Sequence, residues 1–101
     1  MDIRRAFALA FKQLRKSSGL TQEDFSVVSS RTYVSVLERG MKSPTLEKID
    51  ELASTMQIHP LTLLTLTYMQ AGSEDEANRL FEIVRLQIAQ SDPERKKNQT
   101  S

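Results

Sequence analysis

Between Gly19 and Gly40 the chain reads Gly-Leu-Thr-Gln-Glu-Asp-Phe-Ser-Val-Val-Ser-Ser-Arg-Thr-Tyr-Val-Ser-Val-Leu-Glu-Arg-Gly, a stretch that suits two short helices joined by a tight turn. Thr21 and Asp24 have capping-box spacing: the hydroxyl can accept from the Asp24 amide while the carboxylate reaches back to Thr21. Glu23 and Asp24 also put negative charge in a first turn, where the helix dipole favours it. Ser29 or Ser30 caps the second helix, and Gly40 ends it in the left-handed conformation. Val34 and Leu37, three apart, face inward from that helix, so Arg31, Thr32 and Ser35 face outward. An exposed face with Arg, Thr and Ser near a helix N-terminus suits the DNA major groove. Arg offers a fork to guanine, and Ser and Thr serve several bases or phosphates. We therefore expect Arg31, Thr32 and Ser35 to read base edges.

The flanking chain supplies a scaffold. Ile3, Ala6, Phe7, Ala10, Phe11 and Leu14 recur at three- and four-residue steps, predicting an amphipathic first helix over residues 2–17 that ends at Ser17-Ser18-Gly19. Phe25 and Val28 are expected to pack on it. Thr45 caps a helix carrying Leu46, Ile49, Leu52, Ala53 and Met56 on one face, all expected in the core. His59-Pro60 opens the next helix, and this single histidine is read as a helix-start residue, not a ligand. Ala71-Gly72-Ser73 breaks the pattern, and Ser73 with Glu76 forms a second capping box for a helix over 74–90. On that helix Ala77, Leu80, Phe81, Val84 and Ile88 make one apolar stripe, widened by Ile83 and Leu86. Such a stripe is covered either by the rest of the chain or by a second copy. We favour the second copy, with Leu80, Phe81, Val84 and Ile88 at the dimer contact. The polar, aperiodic tail 91–101 reads as disordered, its Arg95-Lys96-Lys97 run solvated.

Charge is uneven. Residues 1–45 hold eight Lys/Arg against four Asp/Glu, while residues 46–101 hold six against nine, within a net charge of only +1. Basic residues gathered around a helix-turn-helix are the footprint of phosphate contact. Gln22 at a helix N-terminus, then Arg39, Lys42 and Ser43 in the loop closed by Pro44, are the expected phosphate contacts. Tyr33 either joins them through its hydroxyl or leans on the core. The absence of cysteine removes disulfides, thiolate zinc sites and cysteine nucleophiles. No Gly-rich phosphate loop, carboxylate pair or ligand cluster points to an enzyme, cofactor, metal or small-molecule ligand. No apolar run approaches a membrane span or signal-peptide core, so a soluble, cytoplasmic protein is expected.

Leu14-Arg15, Gly19-Leu20-Thr21-Gln22-Glu23, Tyr33-Val34-Ser35, Leu37-Glu38-Arg39-Gly40 and Ser43-Pro44-Thr45, in that order, resemble the Cro/C1-type (XRE) helix-turn-helix family from Phe7 to Leu64. The resemblance implies an all-α fold. A compact five-helix, lambda-repressor-like DNA-binding domain would occupy residues 1–70, the C-terminal helix 71–90 and the tail 91–101. It implies that Arg15 pairs with Glu38, tying the first helix to the reading helix, and that Gln22 meets a phosphate. Val36 stands where the family often has a polar residue and points to contact with a later helix or a partner chain. Between Phe25 and Tyr33 the chain is about two residues shorter than the family pattern and lacks its turn glycine, so either the turn is tighter or the first helix of the pair is shorter. This difference leaves the base-reading register open by about one residue.

The function expected is a sequence-specific DNA-binding transcriptional regulator. It would act as a homodimeric repressor on a pseudo-palindromic operator of double-stranded DNA. The alternative is a protein-interaction module that uses the helix-turn-helix as scaffold and docks a partner on the last helix.

Overall fold

In a computed structural model, which describes residues 2–94, the chain is helical throughout: α1 (Ile3–Ser17), a 3-10 turn (Gln22–Phe25), α2 (Arg31–Glu38), α3 (Leu46–Thr55), α4 (Pro60–Tyr68) and α5 (Glu74–Gln90), with no strand among the described residues. The chain divides into two units, one ending at Tyr68 and the other beginning at Met69.

In the first unit each helix starts where a side chain takes up a free amide. Asp2 accepts from the Arg4 N–H (3.1 Å), Ser30 from Tyr33 (3.0 Å), Thr45 from Lys48 (3.1 Å) and His59 Nδ1 from Leu61 (3.0 Å). α1, α2 and α3 also stop alike. After α2, Gly40 takes a φ of +71°, its N–H donates to the Leu37 carbonyl (3.0 Å), and that of Met41 donates to Val36 (3.2 Å). This is a Schellman motif. A Cβ on Gly40 would also meet the Arg5 Cα of α1 at 3.4 Å, so the glycine permits both the turn and the close passage of α1. α3 ends in the same pattern with a non-glycine, Gln57, at φ +59°.

The core of this unit is built from Phe7, Ala10 and Phe11 of α1, Phe25, Val34 and Leu37 of the helix-turn-helix, Ile49, Leu52 and Met56 around α3, and Leu63 of α4. Phe11 is its hub, with the Phe7 ring 6.0 Å away and the Phe25 ring meeting it edge-on at 5.4 Å. α1 packs against α2 and α4, and α3 packs against α4. Each fully buried Phe or Leu of this set contributes about 1.5–3 kcal/mol. Leu46 departs from expectation, being 78% exposed. As the first residue of α3 its Cβ tilts back toward the helix N-terminus and overhangs the end of the core.

The missing residues of the helix-turn-helix come out of its first helix. Phe25 is locked into the core and Ser30 must cap α2, so Ser26–Ser29 alone bridge them. Ser26 donates to Glu23 (3.0 Å), Val28 to Phe25 (3.0 Å) and Ser29 to Phe25 (2.8 Å), leaving a single 3-10 turn in place of an α-helix.

The second unit is dominated by α5. Ser73 Oγ accepts from the Glu76 N–H (3.1 Å), as its spacing predicts. The Glu76 carboxylate instead gathers the amides of Gln70 (2.7 Å), Ala71 (2.8 Å) and Gly72 (3.0 Å). These bonds, that from Gln70 foremost, hold its carboxyl below the usual carboxylate range. α5 has no buried residue. Of the expected dimer contacts Leu80 is half-buried, and Phe81, Val84 and Ile88 are exposed. On its polar side Arg85 donates to Glu82 through two nitrogens (2.6 and 3.1 Å). Ser91 closes α5. The rest of the tail from 95 onward, including the basic run Arg95-Lys96-Lys97, lies outside the described residues. No helix among the described residues is long and apolar enough to cross a membrane.

Candidate nucleic-acid interface

α2 is held by its inward residues. Val34 and Leu37 are fully buried, whereas Arg31 and Thr32 are exposed and Ser35 is half-buried. Val36, four residues after Thr32 and so on its side of the helix, is also half-buried. The helix is fixed to α1 by Arg15 and Glu38. Arg15 Nε lies 2.5 Å from Glu38 Oε2 and Nη2 lies 2.9 Å from Oε1, a two-pronged pair whose side chains are only 11% and 5% exposed. The remaining Arg15 nitrogen donates to the Leu20 carbonyl (2.9 Å), so the same guanidinium ties the α1 end and the turn after it. The bonds to Glu38 push the Arg15 pKa still higher, keeping it charged throughout.

Gln22 joins this network, its Nε2 donating to Glu38 Oε1 (3.2 Å). The carboxamide is thereby oriented at the mouth of a shallow depression lined by Arg15, Thr21, Gln22, Glu23 and Arg31. The expected capping box forms between Thr21 and Asp24, with the Thr21 N–H donating to the Asp24 carboxylate (2.7 Å). Across the depression Arg31 Nη1 donates to Glu23 (2.8 Å).

Tyr33 is half-buried and packs against the core, with the Lys48 ammonium 5.7 Å from its ring centre. Lys48 also donates to the Val28 carbonyl in the helix-turn-helix turn and to Glu51 (3.0 Å). No local pattern in the sequence marks this lysine, because its carbonyl partner lies twenty residues away. Arg39, Lys42 and Ser43 are all exposed after α2, Arg39 Nε folding back to the Ser35 carbonyl (3.4 Å). Thus Gln22, Arg31 and Thr32 cluster at the N-terminal end of α2, and Arg39, Lys42 and Ser43 follow its C-terminal end. No group of three or more potential metal ligands occurs among the described residues.

A buried ion pair clamping the capped α2 to α1 is the arrangement that the sequence resemblance implied, and residues 11–63 match the Helix-turn-helix family. The chain belongs to the Cro/C1-type helix-turn-helix family. With the family comes its general activity, that of a DNA-binding regulator and not an enzyme. Among curated proteins the chain is similar to an uncharacterised HTH-type transcriptional regulator, y4dJ, of Sinorhizobium fredii, at 39% identity over 69 residues, which cover 66% of this chain and 90% of that one. It is also similar to the control protein C.BamHI of Bacillus amyloliquefaciens, at 33% identity over 69 residues, covering 65% of this chain and 85% of that one. No solved structure matches it.

Proposed function

We propose that this helix-turn-helix protein is a cytoplasmic homodimeric repressor that occupies a pseudo-palindromic operator. The observation that carries this reading is the exposed Arg31 and Thr32 at the N-terminal end of a helix immobilised by the Arg15–Glu38 pair. Arg31, Thr32 and Ser35 read base edges in the major groove. Gln22, Arg39, Lys42 and Ser43 hold phosphates, which supply affinity and register but little sequence information. Tyr33, packed on the core, reaches the backbone with its hydroxyl alone. The two chains join through α5, whose Phe81, Val84 and Ile88 are each more than half exposed. Two reading helices related by a two-fold axis enter successive major grooves about 34 Å apart. Both curated relatives carry regulatory names, which supports the regulatory part of this reading.

Selection of bound fragments from a random duplex pool at near-physiological salt tests it. The expected product is a pseudo-palindrome with half-sites one helical turn apart. Sedimentation of the protein should give a dimer that Phe81→Arg converts to monomer. No enriched sequence, with binding lost as salt rises, would reduce the protein to a nonspecific binder. The alternative of an interaction module docking through α5 would then lead.

A further inference from the structure

Arg31, the first residue of the reading helix, is not free. Its Nη1 is held by Glu23 at 2.8 Å, with both side chains about two-thirds exposed (67% and 69%). Such a pair adds little to folding stability, so its consequence lies in where it holds the guanidinium. The support beneath it is firm. Glu23 follows Gln22, whose carboxamide is bonded to Glu38, and Glu38 is locked to Arg15. Arg15, Gln22, Glu23 and Arg31 line one depression, and each of its two cations is paired, Arg31 with Glu23 and Arg15 with the buried Glu38.

We propose that Glu23 is a positioning residue for sequence selection. Its carboxylate holds Arg31 by one N–H so that the rest of the guanidinium meets a base edge, and it withholds Arg31 from phosphates. This rests on the reading of Arg31 as a base-contacting residue. A guanidinium has five N–H donors, and one taken by Glu23 leaves the Nε–Nη2 edge as an intact two-donor fork. Guanine offers O6 and N7, two neutral acceptors, so pairing with that edge leaves the bond to Glu23 in place. A phosphate is an anion. Moving Arg31 onto one brings it against the Glu23 carboxylate or breaks the pair. On random DNA an untethered arginine would take the nearest phosphate and add affinity without information. On the right base pair the tethered side chain has already lost part of its rotamer freedom.

The test uses the full chain as parent, Glu23→Ala, Glu23→Gln, Arg31→Ala and the Glu23→Ala/Arg31→Ala double variant. Each is titrated at several salt concentrations onto the selected consensus duplex, its single-base substitutions and a random duplex. Arg31→Ala should relax one position per half-site. Glu23→Ala should lower the preference at that same position by about 2- to 10-fold, the effect of freeing one long side chain, while binding to the random duplex tightens. Glu23→Gln, which keeps an acceptor at the same reach, should retain more of the preference than Glu23→Ala. In the Arg31→Ala background the effect of Glu23→Ala on base preference should vanish. Equal tightening on consensus and random duplexes would overturn the proposal and leave Glu23 as mere negative charge. So would a change in preference that persists without Arg31, or an Arg31-dependent position that Glu23→Ala leaves intact. If Arg31→Ala relaxes no position, the base-reading assignment itself has failed, and the proposal falls with it.

Discussion

Removing Glu38 should nearly unfold the DNA-binding unit, and the reason lies in how little water reaches its partner. Arg15 is 11% exposed at the side chain, and two of its three nitrogens spend their donors on Glu38 at 2.5 and 2.9 Å. In Glu38→Ala only the Leu20 carbonyl of its named partners remains, and a full positive charge stays inside. Breaking a buried pair from one side costs about 3–5 kcal/mol, a large part of the roughly 5–15 kcal/mol that holds a typical domain together. For a unit of this size the melting temperature should fall by at least about 12 °C. Arg15→Ala should be comparably harmful, since Gln22 alone among the named partners then faces the Glu38 carboxylate. The double replacement Arg15→Met/Glu38→Leu fills the same space without charge and should recover to within about 1 kcal/mol of the parent. Urea denaturation of the four proteins measures each cost and the coupling between the two sites. Losses under about 1 kcal/mol in the single variants would refute the reasoning, because that is the behaviour of a solvated pair.

Gln57 holds a φ of +59° at the end of α3, where a side chain is strained and glycine is not. Gln57→Gly should therefore raise stability by about 0.5–1 kcal/mol in urea denaturation, and a loss would show that the Gln57 side chain makes contacts worth more than the strain. Lys48→Met keeps the aliphatic stem but removes the ammonium that binds the Val28 carbonyl and faces the Tyr33 ring, and it should cost about 1–3 kcal/mol by the same method. A silent Lys48→Met would mean that the turn needs no external donor. The lowered Glu76 pKa means that its contribution is complete above the ordinary glutamate value of about 4.3 and is lost as pH falls through the lower folded value. In an NMR titration the Gln70, Ala71 and Gly72 amide resonances should shift together with that low midpoint, and a midpoint at or above the ordinary value would remove the clip. In salt-dependent titrations Lys42→Ala should weaken binding to all sequences alike and flatten the salt slope by about one unit, whereas a change confined to one sequence would make Lys42 a reader of bases.

What could be read from the sequence was what neighbours decide. Ser30, Thr45 and Ser73 act on amides three residues ahead, and Gly40 on carbonyls just behind, so their roles follow from spacing alone. The Arg15–Glu38 contact spans 23 residues and came from resemblance, since nothing local joins the two. The shortened helix-turn-helix marks the boundary between these cases. Two answers fitted its length, a tighter turn or a shorter helix, and the choice depends on Phe25 being pinned edge-on against Phe11. A pinned Phe25 and a capping Ser30 leave the 3-10 turn as the part that yields. Glu76 shows the limit from the other side. Its capping-box spacing is right, yet a carboxylate offered three amides in Gln70–Gly72 gains more from them than from the one at Ser73. That preference requires Gly72 at a φ of +70°, which curls the preceding amides toward the helix start. Glu23 follows the same logic: its charge suits a first turn, but its partner Arg31 lies eight residues on, across the shortened turn. A helix-turn-helix with two more residues in that turn would carry Arg31 away from Glu23. The shortened turn and the Glu23–Arg31 pair are therefore one feature, and restoring the missing residues should release Arg31 as Glu23→Ala should.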